Sequence, residues 1–267
     1  SKANFKRYFE EKCKPQVEEL VTKYGKLAIM WFDTPGKMSK DHSLALVDLV
    51  RKHQPQCLIN SRIGNGVGDY SSLGDMQIPP HNETGLWECV DTTNNSWSYA
   101  WYDQNWKSAR QIAKNLISVV ARGGSYMLNI GPRGDGSIPK PAQDNLRLAG
   151  QWIKSHAATI YGAGASPWGR AFSWGDVTTR EGKLYLHIYQ WPQNGELYLP
   201  GLKNHIQELK IFNSNSGLES EKQGDWTLIK LPHLKPNDMI PVIELTYNGK
   251  LTVDPCLAVD GLTRTKL

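Results

Sequence analysis

Through the first part of the chain, apolar residues fall in turn at helical spacing and in short unbroken runs. From Phe5 to Tyr24 the stretch is rich in Glu and Lys. Phe9, Val17, Leu20, Val21 and Tyr24 recur there at roughly helical spacing, and Gly25 follows as a stop. The spacing predicts a helix over 5–24 in spite of Pro15. Leu27 to Phe32 then runs unbroken from Lys26 to Asp33, the pattern of a strand buried on both faces, and Thr34-Pro35-Gly36 turns the chain away. Ser39 is placed to cap a helix through His53 whose inward face is Leu46, Val47, Leu49 and Val50, and Cys57 to Arg62 reads as the next strand. A loop from Gly64 to Pro80 leads to a strand at Leu86-Trp87-Glu88-Cys89. Asn105 to Arg122 is predicted helical with Ile112, Leu116, Val119 and Val120 inward. Gly123-Gly124 ends it before a strand from Ser125 to Ile130, and a last helix runs from Lys140 to Tyr161 through Leu146, Leu148, Trp152 and Ile153.

Strands alternating with helices predict βα units and a parallel sheet, hence an α/β fold. Asp33, Arg62, Glu88 and Asn129 fall at the strand ends, where the catalytic side chains of a βα-barrel sit. A closed eight-stranded barrel needs roughly 250 residues, and only four strands are legible. The expectation is therefore the C-terminal half of a (β/α)8-like barrel over residues 1–162. Near Gly162-Ala163-Gly164 the period changes to two, as in 183–189, 196–199, 226–231 and 242–247, with Gly and Pro turns between. This predicts an antiparallel β-sandwich over 163–267.

Composition narrows the function. A net charge of +5 with scattered lysines and arginines provides no basic stripe, which argues against nucleic acid. No run approaches the ~20 apolar residues that span a bilayer, and the start at Ser1 shows no apolar leader, so a secretion signal is either absent or lies upstream of it. Cys13, Cys57, Cys89 and Cys256 form no CxxC pair and have no metal-type spacing with histidine, so they are expected to be mostly buried thiols, with no metal and no cofactor. Ten Trp and eleven Tyr against five Phe favour rings with a polar edge. Such rings suit a sugar, stacking on its C–H face while the N–H or O–H reaches a hydroxyl.

Two carboxylates, Asp33 and Glu88, close predicted strands beside tryptophan. Retaining glycosidases need such a pair, one to attack the anomeric carbon and one to protonate the leaving oxygen, about 5–5.5 Å apart. Either could instead close a strand or cap a helix. Trp87 would shield Glu88 from water, as suits a proton donor, and Glu83, beside His81 and Asn82, is the rival for that role. Arg62 offers a planar donor fork to sugar hydroxyls or to an ion pair at the rim. Gly131 to Gly136 lacks the GK[ST] ending of a phosphate loop and reads as a tight strand-to-helix turn. His42, His53 and His81 have no partner at metal-ligand spacing.

Five segments, in order, resemble the α-L-fucosidases of glycoside hydrolase family 29: Trp31-Phe32-Asp33, Asn60-Ser61-Arg62, Leu86 to Cys89, Ser96-Trp97-Ser98-Tyr99, and Leu128 to Gly136. A helix ending in Thr159-Ile160-Tyr161-Gly162 and a β-domain follow them. The resemblance implies a retaining exo-glycosidase that removes terminal α-L-fucose from glycans, with Asp33 as nucleophile, Glu88 as acid/base and Glu83 as its rival. It implies substrate contacts at Trp31, Arg62, Trp87, Trp97 and His81, and an extracellular, periplasmic or lysosomal setting. The family's N-terminal half-barrel, including a His-His pair that holds the fucose, has no counterpart in this chain. The resemblance therefore implies a complementary N-terminal half-barrel segment as partner. A carbohydrate-binding fragment without catalysis, or the same chemistry on a related sugar such as galactose, are the alternative readings.

Overall fold

A computed structural model describes residues 2–257 and 265–266; the outer ends of the two predicted regions, Ser1, 258–264 and Leu267, lie outside the described residues. The chain forms two compact units. One comprises the chain up to Gly74 with Gly85–Glu88, the other Asp75–Thr84 with the chain from Cys89 onward.

In the first unit the opening helical stretch is split into α1 (Lys2–Tyr8), a π-helical turn (Phe9–Cys13) and α2 (Lys14–Lys23). Pro15 has no N–H, and its ring crowds the carbonyl four residues back. The chain responds with a widened turn in which Lys14 N–H reaches Phe9 O, one residue further than in an α-helix. Phe9, Val17 and Val21 are buried as expected, but Leu20 and Tyr24 face water. α2 packs against α3, and a single packing partner covers only a narrow i, i+4 stripe.

The run after Gly25 departs from the expected fully buried strand. Only β1 (Ile29–Met30) pairs, in parallel with β2 (Leu58–Ile59), through Ile29↔Leu58 and Met30↔Ile59. Met30 and Ile59 enter the core with Phe9, Leu46 and Val50, while Ile29 and Leu58 remain 46% and 38% exposed, so one face of this pair is uncovered. Between them α3 (Lys40–His53) starts at Ser39, whose hydroxyl accepts from His42 N–H. His42 Nδ1 in turn accepts from Ser39 N–H at 3.2 Å, completing a capping box with an imidazole where a Glu or Gln is usual. His42 is thus a capping residue packed on Phe9, a role that its residue type does not signal in the sequence. Leu46 and Val50 are buried, and Val47 and Leu49 only partly so. Arg62, expected at a strand end, lies on a 3-10 turn, Ser61–Ile63. β3 (Ser71–Ser72) pairs in parallel with the start of β4 (Trp87–Thr92).

The second unit continues with α4 (Ala109–Val120), capped by Ser108, then Gly123 at φ +85° and β5 (Ser125–Asn129). The predicted last helix divides into α5 (Lys140–Ser155) and α6 (Ala157–Ile160). The break is His156, whose ring stacks on Trp152 at 4.3 Å and places Nε2 3.1 Å from Asp238 Oδ2. Leu148 is exposed, against expectation.

Among the described residues seven antiparallel strands follow: β6 (Gly175–Arg180), β7 (Lys183–Ile188), β8 (Glu196–Pro200), β9 (Ile206–Ile211), β10 (Glu219–Gln223), β11 (Trp226–Lys230) and β12 (Val242–Tyr247). They form sheets in the orders β6-β7-β12-β9 and β10-β11-β8. Trp174, Leu186, Leu199, Ile229 and Leu245 share one apolar cluster drawn from both sheets. Alternate residues of the four-stranded sheet, such as Tyr185 and Val242, pack with Ile117 and Trp152 of the helices, so this sheet is covered on both faces. Two of the four thiols are buried, Cys57 and Cys89; Cys13 is partly exposed and Cys256 exposed, which corrects the expectation for the last.

Candidate active site

The backbone that carries Asp33 is held by Asn60, a member of the Asn60-Ser61-Arg62 segment whose sequence context assigned it no role of its own. Asn60, fully buried at the end of β2, accepts from Phe32 N–H through Oδ1 and donates to Phe32 O through Nδ2, each at 2.8 Å. The amide reads both polar groups of one peptide segment as a neighbouring strand would. It fixes the chain one residue before Asp33, beyond the point where strand pairing of β1 has ended. Thr34, directly after Asp33, has φ +51°. For a β-branched residue this region is unfavourable, and such strain gathers at functional positions.

Arg62 reaches Asp33 from the 3-10 turn. Its Nε donates to Ser72 Oγ at 2.9 Å and Nη2 to Leu73 O at 2.8 Å, which leaves Nη1 aimed at Asp33 Oδ1 at 3.4 Å. The same guanidinium lies over the Trp31 ring, 5.3 Å from its centroid. Asp33 keeps 48% of its side chain exposed against 17% for Arg62, so the carboxylate is accessible while its partner is held. Phe32, Asp33, Thr34, Met38 and Arg62 line a cavity of about 160 Å³.

Trp31 links this group to Glu88. The indole Nε1 donates to Glu88 Oε1 at 2.5 Å, and the Tyr70 hydroxyl donates to Oε2 at 3.3 Å. Burial, then the neighbouring Glu88 carboxylate and its hydrogen bond, push the Tyr70 phenol far above its ordinary range, so it stays protonated and donates. Glu88 itself is only 7% exposed. The ring against its carboxyl is therefore Trp31. Trp87, expected to shield Glu88 and to touch substrate, is 3% exposed and occupies the preceding position of β4, which strand alternation turns to the opposite face. Trp31, Asp33, Arg62 and Glu88 thus form one connected group. Asn60 and Tyr70 complete it; the sequence signal for Asn60 was its place in the Asn60-Ser61-Arg62 segment at the close of an apolar run, and for Tyr70 only a Tyr before two serines.

In the second unit, residues 81–83 are fastened to 166–170. His81 bridges Arg170, Asn82 N–H donates to Gly169 O at 2.9 Å, and Asn82 Nδ2 donates to Ser166 O at 2.9 Å. His81 and Glu83 are exposed, and the Glu83 carboxylate has no hydrogen-bond partner among the described residues. Trp97 is 40% exposed, and its carbonyl accepts from Asn129 Nδ2 at 2.7 Å. The turn after β5 closes through Gly136 N–H to Arg133 O at 2.9 Å, with Asp135 accepting from Ser137 N–H and Oγ. A Cβ on Gly131 would lie 2.8 Å from the Ser98 backbone, so glycine is required where the two motif segments meet. Among the described residues no cluster of His, Cys, Asp and Glu is arranged to hold a metal ion, and no helix is long and apolar enough to cross a membrane.

Residues 1–158 match the protein-family model described as Alpha-L-fucosidase. The mouse tissue alpha-L-fucosidase is 28% identical, with 92% of this chain and 57% of that protein aligned; the rat plasma enzyme is 30% identical over 87% of this chain and 55% of its own. Among solved structures, alpha-L-fucosidase isoenzyme 1 from Paenibacillus thiaminolyticus superposes with a TM-score of 0.83 at 29% identity, covering 92% of this chain and 63% of that one. The alpha-L-fucosidase of Vibrio sp. strain EJY3 gives 0.85 at 31%, covering 94% and 47%. The chain spans just over half the length of these curated relatives.

Proposed function

Because the chain belongs to the alpha-L-fucosidase family, we propose that it supplies the nucleophile-bearing part of a retaining exo-glycosidase that removes terminal α-L-fucose from glycans. In this reading β1, β2, β4 and β5 with their helices are the C-terminal half of a (β/α)8 barrel, up to residue 162. The two antiparallel sheets are a β-sandwich that packs on the barrel and takes no part in the chemistry. A complementary N-terminal half-barrel completes the sugar pocket. The observation that carries the proposal is Asp33: an accessible carboxylate on a backbone clamped by Asn60, with Arg62 directed at it from a fixed position.

Asp33 attacks the anomeric carbon as the bond to the leaving oxygen breaks, and a carboxylic acid gives that oxygen its proton. In the second step the same residue, now a carboxylate, takes a proton from water. The water oxygen bonds the anomeric carbon, and Asp33 leaves as carboxylate. A general acid needs a free oxygen facing the substrate. Both oxygens of Glu88 accept hydrogen bonds in a buried setting, whereas Glu83 is exposed and its carboxylate has no hydrogen-bond partner among the described residues. This favours Glu83 as the acid/base and makes Glu88 a positioning residue that orients Trp31. The test is turnover of an aryl α-L-fucoside with and without azide. Glu83→Ala should be slow and rescued by azide, while Glu88→Ala should be slow and not rescued. Rescue of Glu88→Ala alone would return the role to Glu88, and no hydrolysis by the wild-type protein assembled with its partner half would reject the reading.

A further inference from the structure

Residues 93–107 form a closed loop after β4, and it presents two large aromatic rings to water. Its neck is Lys107 N–H to Thr93 O at 2.9 Å, supported by Lys107 Nζ to Thr92 O at 2.6 Å. Inside it, the buried Asp103 accepts from Asn95 N–H at 2.9 Å and Ser96 Oγ at 2.8 Å through Oδ2, and from Asn105 N–H at 3.1 Å through Oδ1. Gln104 Nε2 donates to Trp101 O at 2.9 Å. The loop is therefore braced from within, as a compact Ω-type loop is.

This frame leaves Trp101 75% and Tyr102 72% exposed, with their rings at 86° and centroids 5.8 Å apart. Two large rings held in water by a rigid loop are unfavourable for folding and point to a ligand. Elsewhere in the chain the indole N–H groups of Trp31, Trp152, Trp168 and Trp191 donate to protein acceptors. Neither Trp101 nor Tyr102 has a side-chain hydrogen bond among the described residues. Both polar edges are thus available alongside the ring faces, and the pair makes a right-angled corner with one donor on each wall. The chemistry that fits is a sugar ring, whose C–H patch stacks on an aromatic face while its hydroxyls meet the edge. A peptide or lipid would call for aliphatic neighbours, whereas the loop from 93 to 107 contains no aliphatic side chain larger than that of Ala100.

We propose that Trp101 and Tyr102 are a binding platform for the saccharide that bears the fucose, so that they select the glycan and not the fucosyl group. The inference rests on the function proposed above for its choice of glycan. The test separates the two by including a ligand without fucose. The 267-residue chain is titrated with N-acetyllactosamine, and the tryptophan indole N–H resonances are followed by NMR. Saturable binding that shifts the Trp101 signal is expected. Trp101→Ala should weaken it about tenfold, as loss of a stacking contact implies, and Trp101→Phe should recover most of it. With the assembled enzyme, Trp101→Ala should raise KM for a fucosylated N-acetyllactosamine by a similar factor and leave an aryl α-L-fucoside unaffected. Binding without hydrolysis would keep the platform and reject the proposed activity. Absence of binding by the wild-type chain, unchanged binding by Trp101→Ala, or equal losses on both substrates would overturn the platform.

Discussion

Replacing Asn60 with alanine should damage the site without touching a carboxylate. The side chain is fully buried, and its two 2.8 Å hydrogen bonds serve Phe32 N–H and Phe32 O. Each such bond contributes roughly 1 kcal/mol net, and a buried backbone group left without a partner costs about 1–3 kcal/mol. With water relieving part of the loss, Asn60→Ala should cost ~2–4 kcal/mol, visible as a lower denaturation midpoint. The functional effect should be larger, because Asp33 is the next residue and a displacement near 1 Å costs on the order of 100-fold in rate. The assay is kcat and KM for an aryl α-L-fucoside beside urea denaturation: kcat should fall about 100-fold with little change in KM. Asn60→Asp, which can accept from Phe32 N–H but offers Phe32 O no donor, should lie between wild type and alanine. An alanine variant with wild-type kcat and a stability loss below about 0.5 kcal/mol, the range of a neutral surface change, would show that the clamp does not position Asp33.

Further expectations follow from buried titratable groups. Burial holds His187 neutral, with its pKa lowered to about 3 against 6.5 unfolded. The unfolded chain binds the extra proton first, so stability falls as pH drops from 6.5 toward 3, and His187→Gln should flatten that limb in a pH series of denaturation midpoints. Burial alone would raise Asp91, but hydrogen bonds from Tyr126, Thr92 N–H, Lys107 and Asn115 outweigh it and hold its pKa below the ordinary 3.8. Its contribution is fully present above that value and is lost as pH falls through the lower folded value; Asp91→Asn should lower stability at neutral pH and reduce this acid-dependent loss. Tyr70→Phe removes one donor to Glu88 and should cost about 1–2 kcal/mol by thermal denaturation, with an unchanged midpoint counting against the connected group.

The sequence named the candidate residues more clearly than it named the elements beneath them. Ser39 and Gly25 act as their residue types dictate, because caps and positive-φ turns are local decisions. Strand length is not local. The run before Asp33 is apolar enough for a long strand, yet pairing stops after Ile29–Met30, and the clamp that replaces it joins residues 28 positions apart. The same limit explains Glu88: proximity in sequence suggested Trp87, whereas the hydrogen bond comes from Trp31, which only the tertiary fold brings near. β10, Glu-Ser-Glu-Lys-Gln, was illegible because it is largely exposed and carries no apolar face for a period-two pattern to register. Asp33 and Arg62 were legible as a pair of chemistries in the right order, and their 3.4 Å approach fits that reading.

The central claim is that Asp33 is the nucleophile, and the most direct measurement is covalent trapping. The protein, assembled with its N-terminal half, is treated with a 2-deoxy-2-fluoro-fucosyl fluoride, which slows breakdown of a fucosyl-enzyme ester more than its formation, and is then digested and sequenced by mass spectrometry. A single fucosyl adduct on the Asp33 side chain, in the peptide containing Trp31-Phe32-Asp33 and absent from Asp33→Gly, is the predicted result. An adduct on Glu83, Glu88 or any other carboxylate, or an Asp33→Gly variant that still hydrolyses aryl α-L-fucosides without added nucleophile, would contradict it.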